Sequence, residues 1–224
     1  MPGLAPGTEY FVGVSELRFP KRAVLRWQGA APWRPPVVPI PVSRERLCRN
    51  LDALLKEYAR HVPPEGIGGL VFPGAARCGS MLASGLAARA KPAMDAMGAW
   101  LRTALDAHDA PPPIPGEAAA LIGLGPGLTP SGDDFIGGLL FALRMLGENG
   151  AADAVARWAL PLAKQRTHRI SVAHLEAAVE GQGAAALHQV LGWLGSSGSK
   201  PGYQSHTFWE AWAIVPDGTC WPEW

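Results

Sequence analysis

The sequence predicts an α+β fold: an N-terminal, mostly antiparallel β portion with a packed helix, and a C-terminal helical portion around a buried helix that follows a glycine-rich loop. Three observations predict this fold. Short runs of β-branched and aromatic residues occupy the first forty residues, helical periodicity begins at Ser43, and the apolar segment 136–146 follows the glycine-rich stretch 123–135.

The β portion is predicted from the runs 10–14, 23–27 and 37–42, which are separated by glycine and proline. Prolines beside these runs favour edge positions, because proline cannot donate to a strand ladder. We therefore expect a small, mostly antiparallel sheet. Five basic residues in this region form either an anion-facing lip or a solvated face: Arg18, Lys21, Arg22, Arg26 and Arg34.

Helical spacing of leucines from residue 47 to Val62, with charged residues between them, predicts an amphipathic helix that Ser43 caps and Pro63 ends. The run 67–72 reads as a strand interrupted by glycines, which favours a bulge or a close backbone approach. Two helices are predicted over 80–90 and 93–108, because Pro92 should break a continuous one.

The proline-rich run 111–116 is the best boundary in the sequence, since it favours an extended spacer over regular structure. We place a mixed α+β portion at 1–110 and a helical portion at 117–224, as two domains or as two layers of one. Helices are expected over 131–146, 151–160, 167–180 and 184–194. Four of the nine tryptophans fall within 209–224, and this shift in composition suggests a diverged or frame-shifted end.

Composition narrows the function classes. With 20 basic and 19 acidic residues, and without a basic stripe, the chain lacks the electrostatic footprint of a nucleic-acid-binding protein. We see neither a charged leader nor eighteen consecutive apolar residues, so we expect no membrane segment and a cytoplasmic location. Cys48, Cys78 and Cys220 are too far apart for a paired zinc motif and are expected to be reduced.

The stretch 123–135 reads GLGPGLTPSGDDF and is the strongest site candidate. Ser131 and Asp134 match a capping box at the start of the following helix. Free amides at a helix start, together with glycines and hydroxyls, suit a phosphate or carboxylate ligand. Two acidic side chains would repel a bare anion, so Asp133 would more naturally hold a divalent cation or a substrate amide. The alternative is structural, because sharp turns also require glycine and proline, and Asp134 would then be a cap.

This stretch, with the glycine-containing apolar helix behind it, resembles the signature of the oxamate carbamoyltransferase subunit AllH family over residues 121–146. The resemblance implies transfer of a carbamoyl group between carbamoyl phosphate and oxamate, in nitrogen recovery from purine breakdown. It also implies partner subunits, since family members are thought to act beside other chains.

Thr167, Ser171 and His174 are expected to share one helix face that lines a cleft, although His174 is more simply a solvated histidine. The six-residue spacing of His168 and His174 matches no zinc motif, and we assign no metal ligands. The candidate catalytic residues are Asp133 and Asp134. The candidate substrate-binding residues are Gly125, Gly127, Thr129, Ser131, Gly132, Thr167 and Ser171.

Three functions remain open from sequence. The first is a carbamoyltransferase subunit whose loop binds a small anionic substrate. The second is a non-catalytic assembly subunit in which the loop is a joint against a partner chain. The third is an independent hydrolase or phosphotransferase that uses Mg²⁺ on Asp133 and Asp134, the one cofactor considered. The loop lacks the lysine of a GxxxxGKS motif and the preceding strand of a GxGxxG motif, which would indicate a nucleotide.

Overall fold

The computed structural model describes the following residues: 10–19, 24–31, 34, 43–58, 66–71, 81–107 and 110–196. They fall into two compact units, one within residues 1–34 and the other within residues 35–219. The run predicted as a strand at 37–42 and the tryptophan-rich end lie outside the described residues.

The smaller unit contains a three-stranded antiparallel sheet in the order β1, β2, β3. Its strands are β1 (Phe11–Val12), β2 (Glu16–Arg18) and β3 (Val24–Arg26). The predicted antiparallel sheet is confirmed, with β1 and β3 inside the predicted runs and β2 unanticipated. In β2, the Glu16 carboxylate pairs with both Arg18 and Arg26, so it offsets part of their positive charge within the sheet.

The larger unit is helical. Its helices are α1 (Arg44–Tyr58), α2 (Gly68–Val71), α3 (Met81–Asp106), a 3-10 helix (Gly116–Leu121), α4 (Ser131–Met145), α5 (Asn149–Arg166), α6 (Arg169–Val179) and α7 (Ala185–Gly195). Together with the small sheet they give the α+β class that the sequence predicts. Within the described ranges, no helix is both long and apolar enough to cross a bilayer.

Helix α4 lies at the centre of this unit and packs against α5, α6 and the 3-10 helix. Ile136 and Leu140 are completely buried, and Phe141 and Leu143 are nearly so. This burial confirms the prediction from its apolar composition, since a helix that is apolar on most faces must be covered on most faces. Residues at its N-terminal end are therefore held in place by a packed core.

Two elements differ from expectation. The run at 67–72 forms the short helix α2 instead of a strand, because a short apolar run does not by itself distinguish the two states. Helix α3 continues through Pro92, as α5 does through Pro161. Both prolines are exposed, so the lost hydrogen bond faces water, while buried neighbours such as Ala90 and Ala93 hold α3 together.

The proline-rich connector lies against α3. The buried Trp100 donates its indole N–H to the carbonyl oxygen of Pro112 at 2.8 Å, and the 3-10 helix that follows the connector also packs on α3. A division of the chain at 111–116 stays a prediction, while the residues on its two sides contact each other through α3 and the 3-10 helix.

Helix α1 supports the end of α7. The Asn50 side-chain amide donates to the carbonyl oxygens of Trp193, Leu194 and Ser196, at 3.0 to 3.3 Å. The last turn of a helix leaves its carbonyls without intrahelical donors, and Trp193 O also accepts the N–H and the hydroxyl of Ser196, each at 3.0 Å. A side chain from the start of the larger unit thus caps the last described helix.

Candidate functional site

The glycine-rich loop ends at Pro130, which immediately precedes α4. Pro130 has φ −55° and ψ 143°, and no side chain caps the helix. The predicted capping box is therefore wrong: Ser131 is already the first helical residue, one position too late for its hydroxyl to cap. Gly123, Gly125 and Gly127 have φ of 74°, 125° and 90°, values that L side chains rarely adopt, so the loop path itself requires these glycines.

Most of the first amides of α4 have partners inside the protein. Gly132 N–H donates to Leu124 O at 2.9 Å, and Asp133 N–H and Asp134 N–H donate to Pro130 O at 2.9 and 3.0 Å. For Ser131 N–H, no acceptor lies within reach among the described residues. The helix start thus offers one amide to a ligand instead of the usual set of three or four.

Ser131 lies between two glycines. A Cβ atom built on Gly125 would lie 2.9 Å from the Ser131 nitrogen, and one built on Gly66 would lie 3.0 Å from the Ser131 hydroxyl. Both glycines have positive φ. Any side chain at either position would crowd the donors of Ser131. Gly66 was not among the residues predicted from sequence, where the glycines at 68 and 69 suggested a close backbone approach in this segment.

Asp133 is buried, with a relative exposure of 2%, and its carboxylate accepts three hydrogen bonds. One oxygen, Oδ1, accepts Gly123 N–H at 2.8 Å. The other, Oδ2, accepts the hydroxyls of Thr167 at 2.5 Å and Ser171 at 2.7 Å. Short hydrogen bonds to a carboxylate are charge-assisted and about twice as strong as neutral ones. Asp133 therefore meets two candidate residues, Thr167 and Ser171, that lie more than thirty positions later in the sequence, at one buried centre.

Asp134 is the next residue, but its side chain is exposed. Desolvation by the surrounding protein, and then the charge of Asp133, raise the pKa of Asp134 to about 7 from the usual 3.8. A carboxyl group that titrates near neutral pH can both accept and return a proton, which is the property required of a general acid or base. The two neighbouring carboxylates thus have different environments and different chemistry.

Thr167 follows α5 and precedes α6, so it meets Ser171 through Asp133 and not along a shared helix face. The remaining candidates lie apart from this centre. His174 is exposed and Gly127 lies in the exposed part of the loop. Within the described residues, the Thr129 hydroxyl makes no hydrogen bond. The candidates from sequence therefore include residues of the buried centre and residues of the loop, and their roles as site residues stay predictions.

A divalent cation finds little support in this geometry. In the part of the chain that the structure describes, no three His, Cys, Asp or Glu residues are grouped so that they could hold a metal ion. Asp133 already accepts three donors, so only Asp134 presents a carboxylate outward. Mg²⁺ prefers an octahedral set of oxygens, and a single exposed carboxylate would supply one of them.

Comparison with known proteins adds one finding. Neither the curated proteins nor the solved structures contain a match to the chain. The match to a family model covers the loop, the helices α4 to α7 and the residues that follow. Over residues 121–207 the chain matches the model of the family described as oxamate carbamoyltransferase subunit AllH, which confirms the resemblance carried by GLGPGLTPSGDDF.

Proposed function

We propose that this chain is a subunit of a carbamoyltransferase-type complex that acts on oxamate and carbamoyl phosphate in purine-nitrogen catabolism. We further propose that the loop 123–130 and Ser131 bind a phosphate or carboxylate oxygen of the substrate. The family match supports the first statement, since its description names an oxamate carbamoyltransferase subunit. A subunit implies other chains, which we take to be the other subunits of the same complex.

The observation that carries the binding proposal is the pair of donors on Ser131. Its N–H and its hydroxyl both lack acceptors among the described residues, and they lie against Gly66 and Gly125, where a Cβ atom on either glycine would crowd them. Two donors at the positive end of a helix form an anion-binding site. In our proposal they bind one oxygen of a phosphate or carboxylate group, and the rest of the ligand lies outside the site.

Asp134 fits this assignment because a protonated carboxyl group repels an anion less than an ionised one. With a pKa of about 7, it is partly protonated near neutral pH. When the amide nitrogen of oxamate attacks the carbamoyl carbon, the bond from that carbon to the phosphate oxygen breaks and the nitrogen loses a proton. The ionised form of Asp134, which is also populated near neutral pH, is the group that we assign to accept this proton.

Positive charge is available at the adjacent corner between α5 and α6. Arg166 and Arg169 flank Thr167 in sequence and have exposed side chains, and Arg166 also donates to Ala119 O at 3.2 Å. Guanidinium groups bind carboxylates and phosphates through two parallel hydrogen bonds. We propose that the positive charge of this corner reduces the repulsion between the aspartate pair and an anionic substrate.

Anion binding by the purified complex of co-expressed subunits tests the proposal. We would titrate phosphate, carbamoyl phosphate and oxamate calorimetrically into the wild type, Ser131→Ala and the control Thr103→Val, which removes an exposed hydroxyl on α3. Loss of a hydrogen bond to a charged group costs about 1.5 to 3 kcal/mol, so Ser131→Ala should weaken binding about tenfold or more. Equal affinities in all three proteins, or no anion binding by the wild type, would reject it.

A second function is favoured by one observation. Leu128, at the tip of the loop, is 56% exposed, as expected if the loop is a joint against a partner chain. In that case Leu128→Ser should release the partner subunits on size-exclusion chromatography, while Ser131→Ala should leave both anion binding and assembly unchanged. The two functions therefore make opposite predictions for these two substitutions.

A further inference from the structure

We propose that Thr167 and Ser171 are positioning residues that act through Asp133, holding the loop against the corner between α5 and α6 and so fixing Ser131 and Asp134 in place. They would then not touch the substrate. This inference rests on the proposed function in one respect, since it takes Ser131 and Asp134 to be the groups that meet the ligand.

The donors themselves argue against a direct role in binding. Each hydroxyl has one proton to donate, and those of Thr167 and Ser171 are both committed to Asp133 Oδ2. A substrate could receive either proton only if a short, charge-assisted hydrogen bond to a buried carboxylate were broken. Ser171 is itself buried, with a relative exposure of 2%, and is out of reach of a ligand that approaches from solvent.

The hydrogen-bond partners of Asp133 show which segments of the chain its carboxylate holds together. Its other oxygen accepts the N–H of Gly123, the first residue of the loop. A Cβ atom on Gly123 would lie only 2.7 Å from the carbonyl oxygen of Arg166, so the loop backbone lies directly on the end of α5. The carboxylate therefore ties together three segments: the start of the loop, the first turn of α4 and the corner between α5 and α6.

The effect reaches Asp134 through space. Desolvation raises the pKa of Asp134 most, and the charge of Asp133, the one described charged group that acts on it, raises it further. The hydroxyl hydrogens of Thr167 and Ser171 point at Asp133 Oδ2 and partly offset its negative charge. With one donor fewer, Asp134 experiences a more negative potential and should titrate at higher pH.

Carbon-13 NMR of the aspartate carboxyl groups in the full-length chain tests this coupling without any ligand. In Thr167→Val, which keeps the shape and removes the hydroxyl, the titration midpoint of Asp134 should rise by about 0.5 pH unit. Thr167→Ser, which restores a hydroxyl, should return the midpoint to the wild-type value. A purely structural hydroxyl would lower the melting temperature of Thr167→Val and leave the midpoint of Asp134 where it was, and that result would overturn the proposal.

Phosphate titration of the same variants separates positioning from direct contact. Weaker phosphate binding in Thr167→Val with an unmoved Asp134 midpoint would mean that the hydroxyl contacts the ligand, and would also overturn the proposal. If Thr167→Val does not fold, Ser171→Ala and Thr167→Ser provide the same comparison. If the wild type binds no phosphate, the proposed function is rejected. If the Asp134 midpoint nevertheless moves as expected in Thr167→Val, the coupling between Thr167 and Asp134 stands.

Discussion

Gly132 is the position where the structure makes its sharpest prediction about stability. A Cβ atom at this residue would lie 1.9 Å from the carbonyl oxygen of Leu121 and 3.0 Å from Leu124 Cβ. The obstructing atom is backbone, so the loop or the helix must move by more than an ångström. That movement would also strain the hydrogen bond from Gly132 N–H to Leu124 O. Overpacking of this kind costs roughly 1 to 3 kcal/mol and a lost hydrogen bond about 1 kcal/mol, so Gly132→Ala should destabilise the fold by about 3 kcal/mol.

Gly138 provides the matched control on the same helix. A Cβ atom there would meet nothing within 4 Å, and alanine in a helix interior is more stable than glycine by about 0.5 to 1 kcal/mol. Gly138→Ala should therefore stabilise the protein, so that the two variants differ by roughly 3 to 4 kcal/mol. Urea denaturation followed by far-UV circular dichroism measures both. A difference smaller than about 1 kcal/mol would refute the close approach of α4 to Leu121.

Three further predictions concern side chains. Asn50→Ala should lower the free energy of unfolding by about 1 kcal/mol because it uncaps α7, whereas Asp52→Ala, at an exposed position on the same helix, should have little effect in the same urea denaturation experiment. Asp133→Asn should cost about 2 kcal/mol or more, since an amide group cannot accept all three donors, and a wild-type urea midpoint would contradict it. Because the pKa of Asp134 is raised to about 7, its stabilising effect is present below about pH 4 and is lost as the pH rises through 7; Asp134→Asn should remove this decline from urea midpoints measured across that range.

Local sequence patterns predicted much of this fold. The buried helix behind the loop was predicted because its residues are apolar on nearly every face, and a helix of that composition has one stable environment. The start of this helix was predicted at Ser131 from a capping box, and the helix does begin at Ser131 although that capping box is absent. The antiparallel character of the N-terminal sheet also followed from sequence, since short runs separated by turns rarely pair in any other way.

Contacts between distant segments were beyond the reach of such patterns. Nothing local places Gly66 on the hydroxyl of Ser131, or the end of α5 on Gly123. The capping box failed for a related reason: the motif fixes the residue types, but a shift of one position moves the serine from before the helix into it. Thr167 and Ser171 were named as site residues from their polarity on an otherwise apolar segment, and only the tertiary fold assigns both hydroxyls to Asp133.

The two aspartates of the signature illustrate how one helix turn separates structure from chemistry. Successive residues of an α-helix point about 100° apart, so Asp133 and Asp134 cannot face the same ligand in the same way. The first turn of a helix favours negative charge, which makes it a suitable place to bury one carboxylate with its donors. Desolvation raises the pKa of the neighbouring Asp134 most, and the buried charge of Asp133 raises it further. A carboxyl group elsewhere on α4 would experience that charge less, so the adjacency of the two residues adds to the effect of desolvation.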